Sequence, residues 1–263
     1  MGQKMKFAPV YFTVVQARFN PILALDSYAP KIQERLRKHG FPDFQRQALS
    51  TINLQLMVPV EGAPPQLPVS QSSRYIFADM ERMSSFMLDQ NALTFQTTNY
   101  DIFDTFSTKF LNGLDAVHDA VELSYIERVG VRYLDAVIPK SDQSIADYLS
   151  PSVLGLASHD VGTVIHSFSE TRFRAGDINI VARVIAQEGE VGFPPDLVPM
   201  FLRLPSRFRG SLGRHATIDT DGYMESREAF NLSAVRKKLD IIHDEITKVF
   251  RMTVTSKAIE MWK

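Results

Sequence analysis

The order of the strand-forming and helix-forming segments constrains the fold more than any other feature of this sequence. Segments rich in β-branched and aromatic residues, or with apolar residues at every second position, favour strands, whereas apolar residues spaced by three and four favour helices. Read along the chain, these patterns give the order β-α-β-β-β-α and then a second β-(short α)-β-β-β-α. Such an order is typical of helices that pack on antiparallel sheets. We therefore predict an α+β fold of two helix-on-antiparallel-sheet halves, with a doubled element order.

The predicted boundary between the halves lies between residues 122 and 123. The N-terminal α+β half (residues 1–122) has predicted strands at 8–19, 48–58 and within 74–98, and predicted helices at 23–39 and 100–121. The C-terminal α+β half (residues 123–263) has predicted strands at 123–138, 163–174, 177–188 and 215–223, a short helix at 143–149 and a long C-terminal helix. The stretch 59–73 is rich in proline, but strand patterns resume directly after it. We therefore interpret it as a loop and expect the halves to pack as one compact unit.

The long C-terminal helix carries a regular apolar stripe. Its apolar residues advance by three and four positions, at Leu232, Val235, Leu239, Ile242 and Ile246. This spacing suits either a helix that packs on the core or a coiled-coil seam of about two heptads. The short length of the repeat favours the core-facing helix.

Composition and charge exclude several classes of protein. Cysteine is absent, which excludes a disulfide scaffold, a thiol enzyme and a cysteine-ligated metal site. Lys+Arg total 29 and Asp+Glu total 30, so the chain as a whole has no electrostatic drive toward nucleic acid or an anionic membrane. No window approaches the ~18 apolar residues of a membrane helix, and the first residues do not form a secretory signal. We expect a cytoplasmic protein without a cofactor.

Two stretches resemble a known group of proteins. The first is ERVGVRYLD at residues 127–135, and the second runs from Thr217 to Trp262 with TIDTDGY, Phe230 and LDIIHDEITKVFRMTVTSKAIEMW. The first is similar to the R-hydrophobic-G-hydrophobic-R-Y signature of a sporadically distributed, largely uncharacterised bacterial family of about 250 residues. The chain departs from that family at Val129 and Val131 and in the loop around 189–214.

The resemblance implies a role but no reaction. Members of the group are accessory genes of bacteria or phage, often on variable genomic islands. The resemblance therefore implies a non-enzymatic interaction or regulatory accessory protein of a bacterial or phage conflict system, binding another macromolecule. A partner protein is the leading expectation, nucleic acid remains open, and so does an oligomer. No membrane partner is expected.

An arginine-rich segment is the leading candidate for the contact surface. No Asp or Glu occurs from Leu197 to Ile218, whereas Phe201 and Phe208 lie among the basic residues Arg203, Arg207, Arg209, Arg214 and His215. Arginines interleaved with aromatic residues can hold a phosphate backbone and stack on a base. Three interpretations stay open: a nucleic-acid or nucleotide site, a contact for a partner protein, or a solvated loop that pairs with Glu188, Glu190 or Asp196.

A second candidate is the pair Arg128 and Arg132. Four residues apart on one predicted strand, the two side chains project from the same face. They could bind an anion or a partner, or they could tie the strand to a carboxylate within the chain. Gly130 between them suggests close backbone packing or a bulge, which favours the structural interpretation.

Catalytic motifs are weak throughout. Asp219 and Asp221 alternate on one strand and could bind magnesium together with Glu225 or Glu228, so a metal-dependent hydrolase is a weaker alternative. Zinc ligation by His118 and His243, and a triad from residues 158–160, are disfavoured by their spacing. No glycine pattern that cradles phosphates is present, so we predict neither a catalytic residue nor a bound metal.

Overall fold

The strands and helices follow the predicted α+β pattern. The computed structural model describes residues 6–52, 69–159, 162–197, 199, 201–210 and 212–263. The strands are β1 (Val10–Phe19), β2 (Asp43–Ile52), β3 (Val69–Ala78), β4 (Ser84–Asp89), β5 (Ala92–Thr97), β6 (Tyr125–Val137), β7 (His166–Ala175), β8 (Ile178–Glu190) and β9 (Leu212–Ala229). The helices are α1 (Leu25–Lys38), α2 (Phe103–Val121), α3 (Pro151–Leu154), α4 (Leu232–Thr253) and α5 (Ser256–Trp262). Among the described residues, no helix is long and apolar enough to span a membrane.

All nine strands join one antiparallel sheet, in the order β2-β3-β4-β5-β1-β6-β9-β8-β7. The first strands of the two predicted halves, β1 and β6, pair at its centre, where Val14 lies opposite Arg132. From β1 outward the order is β5, β4, β3, and from β6 outward it is β9, β8, β7. The two halves therefore repeat the same arrangement about the central pair, as the doubled element order predicted. Strand β2 is an addition to the first half that has no counterpart among the described strands of the second.

Three helices cover one face of the sheet. The main core contains buried residues from both halves, such as Leu36 of α1, Phe110 of α2 and Leu239 of α4. Four residues of the predicted stripe on α4 are buried, namely Val235, Leu239, Ile242 and Ile246. The stripe therefore faces the core of the same chain.

The loop between β8 and β9, described at residues 191–197, 199 and 201–210, packs on the opposite face. Its side chains Phe193 and Phe208 pack on Tyr11 of β1, with ring centroids 5.5 and 5.7 Å away. The Tyr11 hydroxyl donates a hydrogen bond to the Gly192 carbonyl oxygen over 2.7 Å. We call this side of the sheet the loop face and the other the helix face.

Some predicted boundaries were wrong. The last strand, predicted at 215–223, spans Leu212–Ala229 because β6 and β8 flank it and satisfy its backbone even where its side chains are polar. The strand predicted at 48–58 begins earlier, at Asp43. Residues 53–68, which include most of the proline-rich stretch, lie outside the described residues.

Candidate functional site

Arg132 ties the sheet to the loop that crosses it. Its Nε and Nη2 donate to the two carboxylate oxygens of Asp219, over 2.7 and 2.8 Å. Its Nη1 donates to Asp196 of the loop over 2.8 Å, and Arg183 of β8 also donates to Asp219 over 3.1 Å. Arg132 is 9% exposed and Asp219 is fully buried. The structural interpretation therefore fits Arg132, which shares a buried ion-pair network.

This network removes the support for a magnesium site. Asp219 and Asp221 do lie on one face of β9, but both oxygens of Asp219 already accept hydrogen bonds from arginines. Burial raises the pKa of Asp221. Within the described ranges no group of three or more His, Asp or Glu side chains is placed to hold a metal ion. The weaker alternative of a metal-dependent hydrolase at these residues is not supported.

Arg128 has partners of its own. Its guanidinium lies over the ring of Tyr223, 4.4 Å from the centroid, and its Nη1 is 3.4 Å from Gln16 Oε1. A Cβ added at Gly130 would lie 3.0 Å from the Tyr223 Cβ and 3.3 Å from Arg128 Nη1. Glycine at residue 130 therefore permits close packing, as the sequence suggested, and a larger side chain would require its neighbours to shift by a few tenths of an ångström. Arg128 and Arg132 share a face, yet each is held by different neighbours rather than poised around one anion.

Phe208 and Arg207 anchor the loop between β8 and β9. Phe208 is 4% exposed, so its ring is not free to stack on a base, contrary to the expectation from the sequence. It is buried because it closes the small core formed with Tyr11. The Arg207 guanidinium lies 4.4 Å from the centroid of the Phe208 ring, and its Nη2 is 3.4 Å from the Val10 carbonyl oxygen.

Arg203, Arg209 and Arg214, which we call the loop arginines, lie at the surface. All three are exposed, and none has a side-chain hydrogen bond or ion pair with a described residue. Arg214 lies within β9, which begins at Leu212, rather than in the loop, and its backbone lies opposite Glu188. Twelve other arginines form ion pairs, at residues 18, 35, 37, 46, 74, 82, 128, 132, 172, 183, 227 and 236.

The histidines singled out in the sequence pack against aromatic rings. His118 stacks on Phe230 with ring centroids 4.1 Å apart, and His243 stacks on Phe103 at 3.9 Å. His243 Nδ1 also contacts the Tyr133 hydroxyl, whereas His118 Nδ1 is buried without a hydrogen-bond partner among the described residues. Of the three residues considered as a triad, Asp160 lies outside the described residues.

A buried polar cluster on the helix face was not predicted as a site. The hydroxyl of Tyr133 on β6 lies 3.0 Å from His243 Nδ1 and 3.5 Å from the Tyr100 hydroxyl. Asp135, two residues further along β6, is 7% exposed, and burial raises its pKa to about 7. A signal was available, because the period of two places Asp135 on the same face as the core residue Val131.

The raised pKa of Asp135 should make the stability of the protein depend on pH. The native protein holds this proton to about pH 7, whereas an unfolded chain releases it near pH 4. Between these values the native state binds more protons, so the free energy of unfolding falls as pH rises, by about 1.4 kcal/mol per pH unit. Asp135→Asn removes this loss, and we expect the variant to gain stability over the wild type from pH 4 to 7. Urea unfolding at several pH values measures the difference.

The exposed Asp142 provides the control for this experiment. Asp142→Asn removes an exposed carboxylate and should change the free energy of unfolding by less than about 1 kcal/mol. If the difference between Asp135→Asn and the wild type is constant over the same pH range, Asp135 does not retain its proton in the native state.

Comparison with known proteins leaves the site to be argued from its own geometry. No protein-family model matches the chain, and no curated protein matches it. The resemblance carried by residues 127–135 and 217–262 therefore stays a prediction.

Proposed function

We propose that this protein is a non-enzymatic interaction protein that binds an acidic surface of another protein through the loop arginines. The observation that carries the proposal is the contrast in pairing. Twelve arginines elsewhere have acidic partners within the chain, whereas Arg203, Arg209 and Arg214 have none among the described residues. Arg174 and Arg251 also have no acidic partner there, but they lie on separate elements, β7 and α4. Arginine is enriched in protein interfaces because its planar guanidinium binds carboxylates bidentately.

The way the loop is held supports a preformed contact surface. Phe193 and Phe208 fix it to Tyr11, and Asp196 fixes it to Arg132. The Arg203 backbone N–H also donates to the Arg82 carbonyl oxygen over 2.8 Å. A segment that is already ordered loses less conformational entropy when it binds. Asp196, one of the three acids considered as partners of the loop arginines, is engaged by Arg132 instead.

An acidic protein suits the loop arginines better than nucleic acid does. Binding of single strands combines basic side chains with exposed aromatic rings on which bases stack. Of the two aromatic residues among the arginines, Phe208 is buried against Tyr11 and Phe201 is half-buried. The nucleic-acid interpretation, through Arg203, Arg207, Arg209 and Arg214, is therefore the alternative that the experiment must separate. Following the resemblance, we place the protein in the cytoplasm, as an accessory component of a bacterial or phage conflict system.

The loop arginines can be removed without disturbing the fold. Arg203→Ala/Arg209→Ala/Arg214→Ala should lower the free energy of unfolding by no more than about 1 kcal/mol per residue, because exposed charges contribute little to stability. We expect its affinity for the partner to fall at least about tenfold, with a larger loss at low salt than at high salt. Tagged protein used as bait in nuclease-treated extract of the native host identifies the partner, and calorimetry with the purified partner measures the affinity.

The matched control is Arg37→Ala/Lys38→Ala/Arg251→Ala, which removes three exposed positive charges from α1 and α4. A protein retained by the wild type and by the control, but not by the triple variant of the loop arginines, supports the proposal. Retention of the same proteins by all three baits contradicts it. A partner that is lost whenever nuclease is added instead supports the nucleic-acid alternative.

A further inference from the structure

The outer edge of β7 has the features of a second interaction surface, independent of the loop arginines. β7 is the last strand of the sheet, and no described residue pairs with its outer side. It is ten residues long and mostly exposed, including the aromatic side chains Phe168 and Phe173. We propose that this edge pairs with β7 of a second copy of the chain, antiparallel, so that two nine-stranded sheets become one.

The internal repeat of the fold shows that a strand fits beside β7. In the first half, the strand equivalent to β7 is β3, and its outer edge is covered by β2 along ten residue pairs, from Asp43–Ala78 to Ile52–Val69. The described part of the second half has no strand equivalent to β2. Long uncovered edges of this kind readily accept a further strand. The missing position is the one that the second copy fills.

The backbone of β7 sets which residues can bond across this edge. Ala175 and Ile178 close a two-residue hairpin, with Gly176 at φ 60° in the first turn position. The closing pair exchanges hydrogen bonds, and so does every second pair along the ladder. The residues between them, which include Phe168, Glu170, Arg172 and Arg174, therefore direct their N–H and C=O groups outward. They form a continuous row of donors and acceptors on the free side.

The charges on β7 select one register. With a two-fold axis at Thr171, Glu170 lies opposite Arg172 of the second copy, and Phe168 lies opposite Arg174. Both pairs are favourable across an antiparallel interface, one as an ion pair and the other as a cation–π contact. A register shifted by two residues in either direction places Glu170 opposite Glu170, or Arg172 opposite Arg172. Like charges directly opposite are destabilising, so the sequence favours self-pairing about Thr171.

A cleft beside the outer edge of β7 could receive Phe173 of the second copy. The cleft has a volume of about 570 Å³, and its lining includes Ser169 of β7, Leu154 of α3 and Leu156, which follows α3. In the register centred on Thr171, Phe173 of the second copy lies opposite Ser169, on the helix face. Burial of that ring beside the exposed Leu156 would remove apolar surface from water in both copies.

Charge reversal and rescue test the register. Sedimentation velocity of the full chain from about 1 to about 100 µM covers the range in which moderate dimers dissociate. We expect the wild type to dimerise and Arg172→Glu to weaken the dimer by about tenfold or more, because Glu170 then faces a like charge at both equivalent pairs. Glu170→Arg/Arg172→Glu restores opposite charges across the interface and should raise the affinity well above that of Arg172→Glu. It should not reach the wild type, because it also removes the ion pair of Glu170 with Arg183 of the same chain. Arg37→Glu, the same charge change on α1, should leave the affinity unchanged. Circular dichroism confirms that each variant folds.

A cysteine cross-link gives a second, geometric readout, since the chain has no cysteine of its own. At the axis the two Thr171 Cα atoms would lie about 4.5 Å apart, within disulfide range, so Thr171→Cys should form a covalent dimer under mild oxidation. The two copies of Ser167→Cys would lie about 27 Å apart and should not. A wild type that stays monomeric at about 100 µM, a dimer insensitive to Arg172→Glu, or equal cross-linking by both cysteine variants would each overturn the proposal.

Discussion

Asp219→Ala is expected to destabilise the protein by about 3 kcal/mol. Asp219 is fully buried and accepts two hydrogen bonds from Arg132 and one from Arg183. Removing one partner of a buried ion pair typically costs about 3–5 kcal/mol, because the remaining charge stays desolvated. We expect the lower end of this range, since Asp196 and Glu170 still contact the two arginines. Equilibrium unfolding in urea measures the loss.

Asp196→Ala is the matched control, because it removes the exposed partner of the same arginine. The Asp196 side chain is 61% exposed, and exposed ion pairs contribute about 0–1 kcal/mol. The critical result is therefore that Asp219→Ala loses more stability than Asp196→Ala. Equal losses of stability would show that the buried half of the network is not what stabilises Arg132.

Much of the fold was predictable, because the local sequence patterns favour a strand at the same residues that the sheet uses as strands. The central strand β6 and the hairpin of β7 and β8 follow the alternation and the Gly176–Asp177 turn closely. β9 was underestimated because Glu225 and other polar residues interrupt its apolar pattern. Its pairing with β6 and β8, which extends it, depends on residues far away in the sequence.

The candidate site was less predictable, because its chemistry depends on which distant side chains meet. Arg132 and Asp219 are 87 positions apart, and no local spacing indicates that they form a pair. The burial of Phe208 has the same origin, since Tyr11 covers it from the other end of the chain. The absence of acids around the loop arginines, by contrast, was visible in the sequence. It predicted the exposed basic residues but not that Asp196 would be engaged elsewhere.

The two proposed surfaces, the loop arginines and the outer edge of β7, differ in the charges that they present. The arginines of the sheet are balanced by acids on neighbouring strands, as Arg183 is by Glu170 and Asp219. On β7 the charges Glu170 and Arg172 alternate, which suits a second copy of the same strand. The loop arginines carry one sign only, which suits a different and acidic partner. Variants of one surface should therefore leave binding at the other unchanged.

Leu239→Ala should cause the other large loss of stability, about 2–5 kcal/mol. Leu239 is fully buried on α4, in the core that α4 shares with α1, α2 and the sheet. Truncation removes buried methyl groups and leaves a cavity that the neighbouring helices and strands can fill only in part. Such a loss is a large share of a typical total stability of about 5–15 kcal/mol. Thermal and urea unfolding at one fixed protein concentration measure it.

Ile241→Ala on the same helix provides the control, since Ile241 is 39% exposed. Both changes reduce a branched aliphatic side chain to alanine and favour the helix to a similar degree, so their difference isolates the packing of residue 239. We expect Ile241→Ala to cost less than about 1 kcal/mol, because surface substitutions have small effects. If the two variants lose equal stability, the apolar stripe on α4 does not pack in the core of the chain.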